Sequence, residues 1–278
     1  MKTLRPWLMI LFWTFISFLT LFPIYWLFVV SVKPAVELFS TPDVILTKFY
    51  WKNYIDVLND RTLRSYMMNS LIISTGNAVL CTLLGFLTCY ALSRFNLPGK
   101  ESIFFWTITN RMAPPAVFLL PMFLLLTQVY AIGDFKLADT RIGMILVYCT
   151  FNLPFAIWTL RPTVDGIPKE LDEAAYVDGA SPWKVITEVV FPLARPGLAV
   201  TLILTWVFAW NEYLLAATLT NFNARTLTTG LSEYVTTTGT EWGIMAAISV
   251  FTLIPALIVF SLVQRHIVTG LTFGAVKG

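Results

Sequence analysis

The sequence predicts an all-α integral membrane protein with six spanning helices, and three observations carry that reading. The 278 residues are 57% hydrophobic and only 13% charged, about half the charge usual in a soluble domain. Mean hydropathy is +0.72. Six stretches are free or nearly free of charge over the length, about 20 residues, that a helix needs to cross hydrocarbon. The 22 Phe, 10 Trp and 10 Tyr exclude disordered, collagen-like and coiled-coil sequence, which lack this apolar bulk. A net charge of +3 with no basic run argues against nucleic acid as a partner. Cys81, Cys89 and Cys149 all lie in apolar stretches without CxxC spacing, so they read as small hydrophobes rather than a disulfide framework.

The spans follow in order, at about 7–32, 66–93, 102–131, 142–160, 196–219 and 242–264. The first is charge-free up to Lys33. It is too long for a signal-peptide core and no small-residue cleavage site follows it, so it is expected to be retained. The second is bounded by Arg64 and Arg94. The third contains Arg111 and Pro114-Pro115. Its first half alone would cover only about 14 Å at 1.5 Å per residue, which favours one long helix bent at the prolines. The fourth is apolar throughout, the fifth is interrupted only by Glu212, and the sixth is charge-free. No repeat or second domain is visible, and residues 1–278 read as a single membrane domain. An even number of spans puts both termini on one side. With that side cytoplasmic, the inner segments hold ten Lys/Arg and the outer ones eight, a bias too slight to orient the chain by itself.

The loop 161–195 is the most structured segment outside the spans. Pro168 suits the start of a helix, and Glu170, Asp172 and Glu173 fall in its first turns, where acids complement the helix dipole. Gly179 is a natural C-terminal stop. Ser181-Pro182 then reads as a cap and first position of a second short helix, which Pro192 is expected to end. The loop is therefore helix, tight turn, helix. Leu171, Ala174, Ala175, Tyr176 and Val177 give the first helix an apolar surface with an acidic edge, fit either to lie in another protein's groove or to pack on its own bundle.

The chain has one His, no HExxH, no clustered Cys/His, no GxSxG and no phosphate-binding GxxxxGK[ST]. Without that loop the energy for any pumping has to come from an ion gradient or from another subunit.

Glu173-Ala174-Ala175, then Gly179 after three residues, Val189 after nine more, and Phe191-Pro192 after one resemble the EAA loop of ABC importer permeases. Val189 and Phe191 replace the usual Ile and Leu of that pattern at unchanged spacing. Further stretches at 151–158, 209–213, 224–227 and 270–278 extend the likeness over nearly the whole chain. Together they are similar to the permeases of the maltose-type carbohydrate importers, on the branch of the maltose permease G protein. The resemblance implies a bacterial cytoplasmic-membrane protein with cytoplasmic termini, paired with a second homologous permease. It also implies two ATPase subunits at the cytoplasmic face, an extracytoplasmic solute-binding protein, and no cofactor in this chain, with ATP and Mg held by the ATPases. On this reading the loop is the coupling element that docks on the ATPase, through Glu173, Ala174, Ala175, Asp178, Gly179, Ala180 and Pro192. The chain is then a non-catalytic subunit of an importer for a carbohydrate, polyol or related glycoside, anionic ones included.

Ionisable groups within spans are costly unless they meet water or a partner, so Arg111 and Glu212 are candidates for the solute route. Trp206, Trp210 and Asn211 join them, because aromatic faces stack on sugar rings and amides bind hydroxyls. Asn152, with Asn77 and Gln128, could line the same route or join helices. Arg111 and Glu212 could equally tie helices together. A stand-alone ion-coupled carrier would suit the six spans, Arg111 and Glu212 as well, but has no use for a docking loop. A membrane-bound sugar transferase would need acids or a metal site at the membrane edge, whereas the clustered acids lie on the loop.

Overall fold

Apolar stretches become helices because a backbone in hydrocarbon has to satisfy its own amide groups. The computed structural model describes residues 4–39, 48–129, 131–132, 135–236 and 239–272. In chain order it contains α1 (Leu4–Ser31), α2 (Lys52–Asn59), α3 (Arg61–Arg94), α4 (Lys100–Met112), α5 (Pro115–Leu124), α6 (Arg141–Asp165), α7 (Glu170–Val177), α8 (Pro182–Lys184), α9 (Phe191–Trp210), α10 (Leu214–Leu219), α11 (Leu227–Leu231) and α12 (Trp242–Thr272). Wide π turns cover Leu125–Val129 and Val185–Val190. Two antiparallel pairs of two-residue strands close loops: β1 (Ala131–Ile132) with β2 (Phe135–Lys136), and β3 (Val235–Thr236) with β4 (Gly239–Thr240). Among the described residues five helical stretches are long and apolar enough to cross a membrane, or six if α4 and the stretch after it count as one broken span.

The chain divides into two compact units. The first combines residues 1–65 with 230–255. Here Asn53 of α2 donates to the carbonyls of Ser31 and Lys33 at 2.9 and 3.2 Å, which satisfies the end of α1. The Tyr54 ring meets Phe251 edge-on at 5.5 Å. Asp60 caps α3 by accepting from the amide of Thr62 at 2.7 Å. Burial, and then the negative charges of Asp60, Glu241 and Glu233, push the Tyr234 hydroxyl up to about 12.

The second unit covers residues 66–229 and 256–278 and is built on α6, which packs on α9 and α4. One core layer gathers Phe86, Leu160, Val164, Val185, Val190 and Ala194 at the end nearest α7. Another gathers Ile73, Met144, Tyr148, Leu215, Ala216 and Leu219 at the opposite ends of the same helices. The close approach of α9 to α6 depends on Gly197, where a Cβ would overlap the Thr163 side chain.

Three expectations from the sequence need correction. The third span is not one bent helix: α4 and the helical stretch after it meet at 97°, because Pro114 and Pro115 donate no backbone hydrogen bond and hold Ala113 and Pro114 extended. The fifth span does not run on to 219. Its helix stops at Trp210 and resumes only as α10 after a break at 211–213. Pro192 does not end the second loop helix, since Pro182–Trp210 is one continuous helical stretch. The π turn just before Pro192 widens the coil and accommodates the bond that proline cannot make. The helical ends also run past the expected limits, with α3 reaching Arg61, α6 reaching Asp165 and α12 reaching Thr272. Residues 273–278 of the closing family-like stretch lie outside the described residues, and His266 falls on the backbone of α12.

Candidate functional site

The loop between α6 and α9 folds as helix, turn, helix. α7 starts at Glu170, two residues after Pro168, and brings three acids into its first turn. It stops at Gly179, whose φ is +81°. The Ala180 amide donates to the Ala175 carbonyl at 2.9 Å and the Gly179 amide to that of Tyr176 at 3.0 Å, the paired reverse bonds that close a helix around a left-handed residue. Ser181 restarts the chain, accepting from the Lys184 amide at 3.3 Å.

This geometry sorts the residues of α7 by face. Asp172 points inward and is buried. The Arg94 Nε at the end of α3 donates to its carboxylate at 2.6 Å, and another nitrogen of the same guanidinium donates to the Ile167 carbonyl at 3.1 Å. The two side chains are only 7% and 6% exposed. Ala175 and Ala180 turn toward the core. Glu173, Ala174, Asp178 and Gly179 face solvent, as does Val177, which is 88% exposed. The outward face is therefore small, apolar and edged with acid. Sequence reasoning placed Asp172 in the acidic first turns without assigning its face, and missed Arg94. A buried acid four residues after the turn's Pro168 carries no distinctive signal, and the partner lies 78 residues away.

Within the spans, polar groups mostly join helices. Asn152 donates to the Asn77 side chain at 2.7 Å, and Asn77 to the Ile145 carbonyl at 2.9 Å. Trp206 and Trp210 stack face to face at 4.8 Å. Both are buried against Ala78, and Trp206 donates to Thr75 at 3.1 Å. Asn211 folds back on the Val207 carbonyl. The Glu212 carboxylate accepts from the amides of Leu215 and Ala216 at 3.0 and 3.1 Å, so it caps α10 across the break in the fifth span. Among the described residues, Trp206, Trp210, Asn211 and Glu212 are thus each engaged within their own or a neighbouring helix. Gln128 is exposed in the π turn after α5.

Arg111 is different. Its guanidinium lies over both the Phe155 and Phe208 rings, 4.4 and 4.5 Å from their centroids, where those rings meet edge to face at 4.9 Å, and donates to the Phe151 carbonyl at 3.1 Å. It lines a cavity of about 240 Å³ with Ile108, Pro154 and Trp158. A cation beside two aromatic rings is held by their quadrupoles without being neutralised.

A third cluster, at the other end of the second unit, was not anticipated. Asp139, with φ of 54°, accepts from four successive amides, those of 221–224, at 3.0 to 3.1 Å. Asn69 donates to the carbonyls of Asn223 and Arg225 at 2.9 Å and accepts from Arg141 at 2.8 Å. Burial alone would raise the Asp139 carboxyl, but the four amides outweigh it and hold it below the ordinary carboxylate range.

A broken helical bundle with a Schellman-closed surface helix between its fourth and fifth spans defines a multi-span helical membrane protein. The sequence of residues 81–272 matches the family of binding-protein-dependent transport system inner membrane components, and the chain belongs to that family. It is a multi-pass permease subunit of a binding-protein-dependent importer. It is 36% identical over 265 residues, 93% of each chain, to the trehalose transport system permease protein SugB of Mycobacterium tuberculosis (strain CDC 1551 / Oshkosh). To the diacetylchitobiose uptake system permease protein NgcG of Streptomyces coelicolor (strain ATCC BAA-471 / A3(2) / M145) it is 30% identical, over 94% of this chain and 85% of that one. Its fold resembles a chain of a bacterial ABC transporter involved in the import of the acidic polysaccharide alginate, with a TM-score of 0.78 at 22% identity over 95% and 96% of the two chains.

Proposed function

We propose that this chain carries a di- or oligosaccharide, or a related glycoside or polyol, across the bacterial cytoplasmic membrane as one of two homologous permeases, with α7 docked on a partner ATPase. One observation carries the reading: α7 is closed by Gly179, bolted inward through Asp172 to Arg94, and left with Glu173, Ala174 and Val177 facing out. A helix that buries its one strong ion pair and exposes an apolar face is built to be held by the bundle while touching another body. Relatives named for trehalose and diacetylchitobiose support the sugar class. On this reading both termini are cytoplasmic and ATP with Mg is hydrolysed by the ATPase pair, because this chain has no phosphate-binding loop. Arg111, beside its cavity, is the side chain best placed to meet a solute hydroxyl or carboxylate.

The test is reconstitution in vesicles with and without the second permease, the ATPases and loaded binding protein. ATP hydrolysis and sugar uptake are expected only from the complete set, and Glu173→Lys is expected to reduce ATPase capture about tenfold through reversed charge at the docking face. Uptake by this chain alone, driven by a proton or sodium gradient, would replace this reading with that of an ion-coupled carrier.

A further inference from the structure

Where α3 ends at Arg94, α4 begins at Lys100 and α6 ends at Asp165, the chain leaves its apolar stretches, so these residues mark one boundary of the bilayer. A cavity of about 270 Å³ opens there, lined among others by Lys100, Glu101, Phe104, Arg161, Asp165 and Lys169. Three cations against two carboxylates leave its lining one positive charge in excess. Arg161 satisfies both acids, donating to Glu101 at 2.6 Å and Asp165 at 3.2 Å while lying 4.0 Å over the Phe104 ring. Lys100 and Lys169 make no ion pair among the described residues. A second, almost wholly apolar groove lined by Phe104, Trp158, Thr159, Arg161 and Pro162 adjoins it, sharing Phe104 and Arg161. Trp158, which also borders the Arg111 cavity, is 53% exposed.

We propose that this two-part cavity binds an anionic phospholipid, its phosphate between Lys100 and Lys169 and an acyl chain along Phe104 and Trp158. The excess of one positive charge matches the single negative charge of a phosphodiester. A polar compartment opening into an apolar one has the shape of an amphiphile, and a bilayer supplies that amphiphile at this depth. Lysines at helix ends extend their stems along apolar surface and keep the ammonium at headgroup level. The site needs only that the spans lie in a membrane, and does not depend on the solute or on ATPase docking.

The test uses the full chain in mild detergent, titrated with phosphatidylglycerol or phosphatidylcholine and read by native mass spectrometry. One phosphatidylglycerol per chain is expected to bind in preference to phosphatidylcholine. Each basic side chain at an anionic lipid is worth about fivefold, so Lys100→Ala with Lys169→Ala is expected to weaken binding roughly twenty-five-fold. Lys52→Ala with Lys136→Ala, which removes the same charge from exposed sites elsewhere, is expected to leave it unchanged. Trp158→Ala should weaken long-chain phosphatidylglycerol and spare the dihexanoyl form. Equal loss in both lysine pairs, equal binding of the two lipids, or displacement by inorganic phosphate alone would overturn the proposal.

Discussion

A Cβ at position 179 would have nothing within 4 Å. The cost of valine there is therefore set first by the backbone: φ is +81°, and an L side chain in the left-handed region is unfavourable by about 1–2 kcal/mol. Gly179→Val is expected to unwind the reverse bonds to Ala175 and Tyr176 and shift α7. Substrate stimulation of ATP hydrolysis in the complete importer should then fall while binding-protein association persists. Gly179→Asn, which tolerates that conformation, should retain most of the stimulation, so equal loss in the two variants would point to something other than backbone geometry. Asp139 works by the opposite logic, through what its side chain holds. Its folded carboxyl lies below its unfolded value of about 3.9, so its contribution to stability is full above that pH and is lost as pH falls through the lower folded value. Asp139→Ala is expected to remove that acid-dependent part and about 2 kcal/mol of stability, since charge-assisted hydrogen bonds are lost. Thermal unfolding in detergent at neutral and acid pH measures both.

Among the elements, the joint between α3 and α7 is the most consequential. The Arg94 guanidinium spans the α7 acid and the carbonyl before its first turn, so any displacement of α7 is transmitted to the second span. Removing one partner of a buried ion pair leaves an uncompensated charge and is unfavourable by about 3–5 kcal/mol. Arg94→Ala and Asp172→Ala are each expected to loosen α7 and lower the sugar moved per ATP hydrolysed, while the charge-swapped pair Arg94→Asp with Asp172→Arg recovers part of it. Transport and hydrolysis measured together in vesicles check this. If each single variant keeps the wild-type ratio, the pair serves stability alone. The breaks in α4/α5 and after Trp210 belong to the same scale. A proline pair sets the helical stretch after α4 at 97° to it and a capping glutamate restarts the chain as α10, and Arg111 lies at the first break, two residues before Ala113.

For the molecule as a whole, the sequence alone determined the membrane class, the number of apolar stretches, and the first loop helix with its turn at Gly179 and the restart at Ser181, but not where the second helix ends. These rest on composition, periodicity and local capping, which are properties of neighbouring residues. Gly179 and Ser181 were legible because the chemistry that ends or starts a helix is local. Even the family could be read there, since the spacing from Glu173 to Pro192 is a linear pattern. What only the tertiary structure decided is which polar residues meet. Asp172, read from the sequence only as one of the acids of the first turns, proved buried against Arg94. Glu212 and the two tryptophans, read from the sequence as candidates for the solute route, form a helix cap and a packed stack. Asp139 carried no local signal at all. The reason is physical: the Arg94–Asp172 pair joins residues 78 apart and the Asp139 carboxylate reaches amides 82 to 85 residues on, and that approach is set by the packing of whole helices rather than by the order of the residues within them.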